Sequence, residues 1–272
     1  MLSVLMNSFG LFRAPWLNRT LLLRMVQREI TARYRGSMLG SIWSLITPLI
    51  MLVVYAWVFG GIFHSKWGNS LADAEQFPAL LFTGMIAFNF FSECVVRAPQ
   101  LVLENRNYVK KVVFPLEILP WILLFSAGFN ALLSLLILFV YEGLRTGILP
   151  ATTLLIPVVM TQLMLLVIGL SYLLAALGVF FRDIAQTVSL LVSVVMFLSP
   201  VFYPVSALPE RYRYLMELNP LTSVIEESRD ILIRGHGLTM SAVMLSTLLN
   251  LGLALFGYGV FMKTKKWFSD VI

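Results

Sequence analysis

Cysteine and histidine are nearly absent from these 272 residues: Cys94 is the single cysteine, and His64 and His236 are the two histidines. One thiol excludes an internal disulfide. Neither histidine has a partner at metal-ligand spacing, so no metal site is expected. Charge is scarce too, with Asp, Glu, Lys and Arg making up 12% of the chain. The sequence has no G-x-x-x-x-G-K-[ST] loop to cradle ATP phosphates, no H-E-x-x-H, no G-x-S-x-G and no Asp-rich cluster. ATP hydrolysis and the common hydrolase chemistries are therefore not expected of this chain.

What the chain has in abundance is apolar surface. It is 59% hydrophobic, with a mean hydropathy of +0.86. That is more than a water-soluble domain can hide, so lipid is the expected solvent for most of it. A membrane helix needs roughly 20 mostly apolar residues. Uncharged runs of that length cover residues 37–63, 118–141, 146–181, 184–209 and 237–262, and a sixth, 77–96, is interrupted only by Glu93. Pro150 and Pro157, in the first third of 146–181, confine that run to one helix. The expected fold is an all-α polytopic membrane protein with six transmembrane helices, at about 38–63, 77–97, 118–141, 154–178, 184–205 and 239–262. A β-barrel is excluded, because the runs are continuous and do not alternate. No cleavable signal peptide is evident at the start.

Six spans put both ends on one side, and the distribution of Lys and Arg identifies it. Arg13, Arg19, Arg24, Arg28, Arg33, Arg35, Arg97, Arg106, Lys110, Lys111, Arg182, Lys263, Lys265 and Lys266 share the side of the termini. Lys66, Arg145, Arg211, Arg213, Arg229 and Arg234 fall opposite. Both termini are expected in the cytoplasm. The net charge of +6 then reports membrane orientation, and nucleic acid is not an expected partner.

Residues 17–35 carry the pattern of an interfacial helix: Leu21, Leu22, Met25, Val26 and Ile30 gather on one arc, and Arg24, Arg28, Thr31 and Arg35 on the other. Glu29 and Arg33 sit within the apolar arc, four residues apart and spaced to pair. They suit a membrane anchor with a local ion pair as well as a face turned to another protein. Pro48 should kink the first span. Trp43, Tyr55, Trp57 and Phe59 crowd that helix, and Tyr55 and Phe59 share a face, as do Phe88 and Phe91 in the second span. These rings fit an aromatic belt at the membrane interface or a stack along a sugar path. Glu93 is an acid at membrane depth, with Arg97 one turn away as its expected partner.

The cytoplasmic connection 99–115 is bounded by prolines, too short to span, and expected to form a short helix under the membrane. Arg182 and Asp183 form a tighter turn. On the outer side, Pro200, Pro204, Pro209 and Pro220 divide the chain into short pieces, with Asn219 a cap for the last. Residues 206–234 should form two short amphipathic helices dipping in from the outer face. Leu208, Tyr212, Leu215 and Met216 line one; Leu221, Val224, Ile225, Ser228, Ile231 and Leu232 line the other. The acids Glu210, Glu217, Glu226, Glu227 and Asp230 alternate with arginines, which reads as a salt-bridged polar face.

Several blocks, in order, carry a family resemblance. They are Arg28-Glu29-Ile30 with Arg33-Tyr34-Arg35-Gly36-Ser37-x-Leu39-Gly40-x-x-Trp43 and Pro48; Lys110-Lys111-Val112-Val113-Phe114-Pro115-Leu116-Glu117-Ile118-Leu119-Pro120; Leu177-Gly178-Val179-Phe180-Phe181-Arg182-Asp183-Ile184; Ser199-Pro200-Val201-Phe202-Tyr203-Pro204; and Leu218-Asn219-Pro220-Leu221-Thr222 with Arg229 beyond. Together they resemble the permease subunits of ABC-2 type polysaccharide exporters, which serve O-antigen, teichoic acid and capsule.

The resemblance implies a homodimer of permeases with two copies of a separate ATPase that holds ATP and Mg, in the bacterial inner membrane. It implies an N-terminal interface helix, a coupling segment at 99–115, and re-entrant outer gate helices. Glu29, Arg33, Arg106, Lys110, Lys111, Arg182 and Asp183 would face the ATPase. Trp43, Tyr55, Trp57, Phe59, Phe88 and Phe91 would lie along the glycan path, and Tyr203, Tyr212 and Asn219 at the outer gate. The cargo would be a lipid-linked glycan, such as O-antigen on undecaprenyl pyrophosphate. A proton-coupled carrier would need acids in several spans, where only Glu93 qualifies, and a membrane enzyme would need clustered acids or histidines at one site.

Overall fold

A computed structural model describes residues 10–58, 71–110, 114–205 and 208–272, apart from the side chains of 71–75, 215 and 217. Phe59, Lys111 and the end of the first expected span lie outside the described residues, as does the side chain of Leu215. All regular structure among the described residues is helical. Five helical stretches are long and apolar enough to cross a membrane: Gly40–Val58, Gln76–Glu104, Leu116–Thr146, Ala151–Phe180 and Met240–Val271.

The principal helices are α1 (Gly10–Leu17), α2 (Arg19–Arg33), α3 (Trp43–Tyr55), α4 (Leu71–Arg97), α5 (Leu119–Thr146), α6 (Ile156–Phe180), α7 (Ile184–Phe197), α8 (Glu210–Glu217), α9 (Pro220–Arg229) and α10 (Met240–Thr264). The amphipathic N-terminal region divides at Asn18, whose amide donates to the Ala14 carbonyl at 2.9 Å. Leu22 and Met25 are the buried residues of α2, which packs on α5.

The fifth expected span is shorter than the sequence suggests. α7 has 14 residues, about 21 Å at 1.5 Å per residue, against the roughly 30 Å of a hydrocarbon core. Prolines 200 and 204 follow and break the helix. Two carbonyls left at its end find side-chain donors: the Tyr203 hydroxyl donates to Phe197 at 2.5 Å, and the Asn219 amide to Leu198 at 3.2 Å. Asn219 also accepts from the Leu221 N–H at 3.0 Å and so caps α9, as an Asn before a first-turn Pro should.

The apolar face of α9 is buried against α4 and α6. Arg229 departs from the polar face assigned to it. Its side chain is completely buried and donates to the Leu80 carbonyl on α4, the Val201 carbonyl and Glu226 Oε1, at 2.9, 2.9 and 2.7 Å. Gly84 makes the space, since a Cβ there would lie 2.8 Å from Arg229 Nη2. Glu226 and Asp230 also hold Arg234, at 3.2 and 2.8 Å. The expected salt-bridged face is therefore present, but its central arginine points inward.

The tightest helix pair is α6 with α10. A Cβ on Gly257 would lie 2.1 Å from the Gly169 carbonyl oxygen, and one on Gly169 would lie 2.7 Å from the Ala254 nitrogen. Small residues let helix backbones touch where lipid offers no hydrophobic drive to association. Next to this seam Asn250 donates to the Gln162 carbonyl at 3.3 Å and Ser246 to the Gln162 side-chain oxygen at 3.0 Å.

Candidate site for coupling and translocation

Glu29 and Arg33 sit one turn apart on α2, and Glu93 and Arg97 one turn apart on α4. The two ladders meet in antiparallel register, so each charge faces its opposite. Arg33 donates to Glu93, and Arg97 donates to Glu29. Arg97 Nη1 keeps a longer contact of 4.0 Å with Glu93, and Asn130 of α5 donates to the second Glu93 oxygen at 3.3 Å. The expected pairing of Glu29 with Arg33 does not form among the described residues, and Glu93 has Arg33 rather than Arg97 as its main partner. A cross-helix partner satisfies the charge and also fixes α2 against α4, which an i,i+4 pair cannot do. Burial works to lower the Arg33 pKa, but the hydrogen bond and charge of Glu93 outweigh it and hold the guanidinium above its ordinary value.

Beyond Arg97 the chain continues through short helical turns at Ala98–Gln100, Leu101–Glu104 and Arg106–Val109. The segment is therefore a stepped extension of α4 and not one separate helix. Asn105 makes the break, its amide donating to the Leu101 carbonyl at 2.8 Å. The segment seats on α6, where a Cβ on Gly178 would lie 1.9 Å from the Pro99 carbonyl oxygen. α2 grips the far end: Arg28 donates to the Tyr108 hydroxyl at 2.8 Å, and Tyr108 stacks on Phe114 with ring centres 4.4 Å apart. Between the segment and the turn after α6 lies an open cavity of about 280 Å³, lined by Pro99, Leu103, Glu104, Phe181 and Arg182 among others.

A larger cavity, about 420 Å³, lies between α3, α4 and α5. One face of α3 lines it with Ser44, Thr47, Pro48, Met51 and Tyr55; α4 adds Phe82, Asn89, Phe90, Ser92 and Glu93; α5 adds Asn130 and Ser134. The Arg33–Glu93 pair stands at the end nearer α2, and Tyr55 and Phe82 at the other. Ser44 to Tyr55 spans roughly 16 Å of helix, about half the hydrocarbon thickness.

A family model described as ABC-2 type transporter matches residues 20–233, from α2 through α9. The chain belongs to the ABC-2 type transporter family. It is 34% identical over 218 residues to the O-antigen export system permease protein RfbA of Myxococcus xanthus, covering 79% of this chain and 81% of that protein. A Klebsiella pneumoniae protein of the same name is 26% identical over 256 residues, 93% of this chain and 95% of its own length. The polysialic acid transport protein KpsM of Escherichia coli is 28% identical over 240 residues, 84% of this chain and 89% of its own.

On this multi-pass ABC-2 chain the residues singled out in the sequence separate into groups. Arg106, Lys110, Arg182 and Asp183 are exposed, whereas Glu29 and Arg33 are engaged by α4 of their own chain. Of the described aromatic residues expected along the glycan path, only Tyr55 lines the large cavity; Trp43 and Trp57 are exposed on other sides of the same stretch. Phe88 and Phe91 are 5% and 6% exposed, with ring centres 6.3 Å apart. They are core side chains and do not wall an open path. Tyr203 and Asn219 hold the end of α7, and Tyr212 is exposed on α8. The ABC-2 chain also carries groups that sequence reasoning passed over, Asn89, Ser92, Asn130 and Thr47 in the cavity wall, and Arg229, put on a polar face by the sequence, is buried. Asn89 and Asn130 had a legible signal, since each is an amide inside an otherwise apolar run.

Proposed function

We propose that the chain is the permease subunit of an ATP-driven exporter that carries a lipid-linked polysaccharide, O-antigen on undecaprenyl pyrophosphate, across the bacterial cytoplasmic membrane. The observation that carries this reading is the likeness to proteins named as O-antigen export permeases over most of both chains. Two copies of this chain would pair with two copies of a separate ATPase that binds ATP and Mg. The lack of a phosphate-binding loop here agrees with that division of labour.

In this reading α7 completes a sixth span, both termini are cytoplasmic, and α8 and α9 are re-entrant helices at the exit. The exposed turns around Arg106, Lys110, Arg182 and Asp183, with the cavity beside them, are the surface offered to the ATPase. Glu29 and Arg33 act one step back, tying the interface helix to the coupling segment through α4. The exposed apolar faces of α3 and α7, with Leu49, Ile50, Val53, Leu190, Leu191 and Phe197, are available to a second copy.

Capsule export is the second reading, favoured by the likeness to the polysialic acid transport protein. Deleting the chain tests both readings. O-antigen trapped on the cytoplasmic side supports the first, trapped capsule polymer supports the second, and normal surface levels of both overturn the export reading.

A further inference from the structure

The walls of the 420 Å³ cavity hold polar side chains with no hydrogen-bond partner among the described residues. Several hydroxyls elsewhere in the spans bond back to their own helix, Thr83 to the Ala79 carbonyl at 2.8 Å, Ser126 to Leu123 at 2.9 Å and Thr161 to Pro157 at 2.8 Å, although Ser171 of α6 is buried without a partner among the described residues. Thr47, Asn89 and Ser92 make no hydrogen bond among the described residues, and all three face the cavity. Asn89 is also exposed in the middle of α4, where its neighbours Phe88 and Phe90 are buried. An amide or hydroxyl without a partner in an apolar environment costs on the order of 1–3 kcal/mol or more. Asn130 keeps one donor on Glu93 and leaves its carbonyl oxygen free to accept. Tyr55, Phe82 and Phe90 supply aromatic surface in the same walls.

We infer that this cavity is a binding groove for neutral sugar units on the cytoplasmic half of the path, with Thr47, Asn89, Ser92 and Asn130 bonding to sugar hydroxyls. The inference rests on the export reading and names the segment of chain that holds the cargo. A pyranose ring presents a rim of hydroxyls and an apolar C–H face, and the groove offers partners for both. The volume lies within the ~300–1,000 Å³ usual for small-ligand sites. Other occupants fit less well. A phosphate would meet Arg33 already neutralised by Glu93. A prenyl or acyl chain, or an apolar helix from a second copy, would bury the three unpartnered groups without bonding to them.

The test uses the single buried cysteine, Cys94. In a Cys94→Ser chain assembled with its ATPase, Asn89→Cys and, as a second probe, Thr47→Cys are labelled with a charged methanethiosulfonate reagent in inverted membrane vesicles. Half of the vesicles come from cells that make the glycan and half from cells blocked in its synthesis. Labelling that is fast without glycan and several-fold slower with it is the expected result. Equal labelling in both overturns the inference, and so does no labelling in either, which would mean that lipid or protein fills the groove. Thr47→Val with Ser92→Ala removes two hydroxyls that bond nothing among the described residues. Normal insertion with slowed export is expected, and export at the parent rate counts against the sugar contacts. If deletion of the chain leaves surface polymer unchanged, the export reading itself fails; if polymer is trapped but labelling is unaffected, only the groove is misassigned.

Discussion

Gly178 and Pro99 touch backbone to backbone: a single methyl group on Gly178 would stand 1.9 Å from the Pro99 carbonyl oxygen. The start of the segment that follows α4 therefore rests on the last turns of α6 with no side chain between them. A displacement of the segment is passed to α6 without slack, and only glycine permits the seating.

Gly178→Ala should lift the segment from this seat. Overpacking of this kind costs about 1–3 kcal/mol, enough to shift the segment without unfolding five long helices. Glycan export should fall well below the parent level while the amount of chain in the membrane changes little. Surface polymer measured against membrane-embedded chain checks this, and parental export would show that the contact is dispensable.

Arg33 and Glu93 should prove coupled across helices. Arg33→Glu and Glu93→Arg should each lower thermal stability in detergent, and the double exchange should recover part of the loss. A double-mutant cycle should give a coupling of about 1 kcal/mol, at the upper end for partly exposed pairs. A coupling indistinguishable from zero would reduce the antiparallel ladder to a geometric coincidence.

Glu227 supplies a pH dependence of known sign. Burial raises its pKa above the ordinary 4.5, Gln162 opposes this, and the charge of Asp230 adds to it. The folded state thus holds the proton more tightly than the unfolded chain does. The stability this contributes is complete below pH 4.5 and is lost as pH rises through the higher folded value. Glu227→Gln keeps the shape and removes the ionisation. The melting temperature of the parent should drop relative to the variant between pH 4.5 and neutrality, and parallel curves would refute the shift.

Lys110→Glu together with Arg182→Glu should abolish most export while leaving insertion intact, because both side chains are exposed and bond nothing within the chain among the described residues. Association with the ATPase, measured by co-purification, should weaken in step. The chain purified alone should hydrolyse no ATP, and turnover without a partner would undo the division of labour proposed here.

Much of the architecture is legible in the sequence, because lipid imposes long uncharged runs and proline marks their ends. Pro150 and Pro157 place the start of α6, and Asn219-Pro220 places the start of α9. What periodicity cannot supply is the identity of a neighbour on another helix. Glu29 with Arg33, and Glu93 with Arg97, are the pairs a single helix offers, yet the structure exchanges partners between helices. The same limit hid Arg229, which the alternation of acids and arginines puts on a polar surface, although Gly84, far away in sequence, opens a space for it inside. Phe88 and Phe91 share a face as expected, but that face is core. α7 is shorter than the expected span because hydropathy runs through Ser199-Pro200, whereas the helix ends at Phe197.

The interlocked backbones of Gly169 and Gly257 bear on how such a chain can move. With carbonyl against Cα there is no clearance for α6 and α10 to slide or roll on one another, so whatever displaces α6 carries α10 with it as a single double-thickness rod. α3 is set apart: it lies along a cavity instead of a packed seam, with Pro48 at its middle. The helix with open space beside it is therefore α3, while α6 and α10 can shift only together.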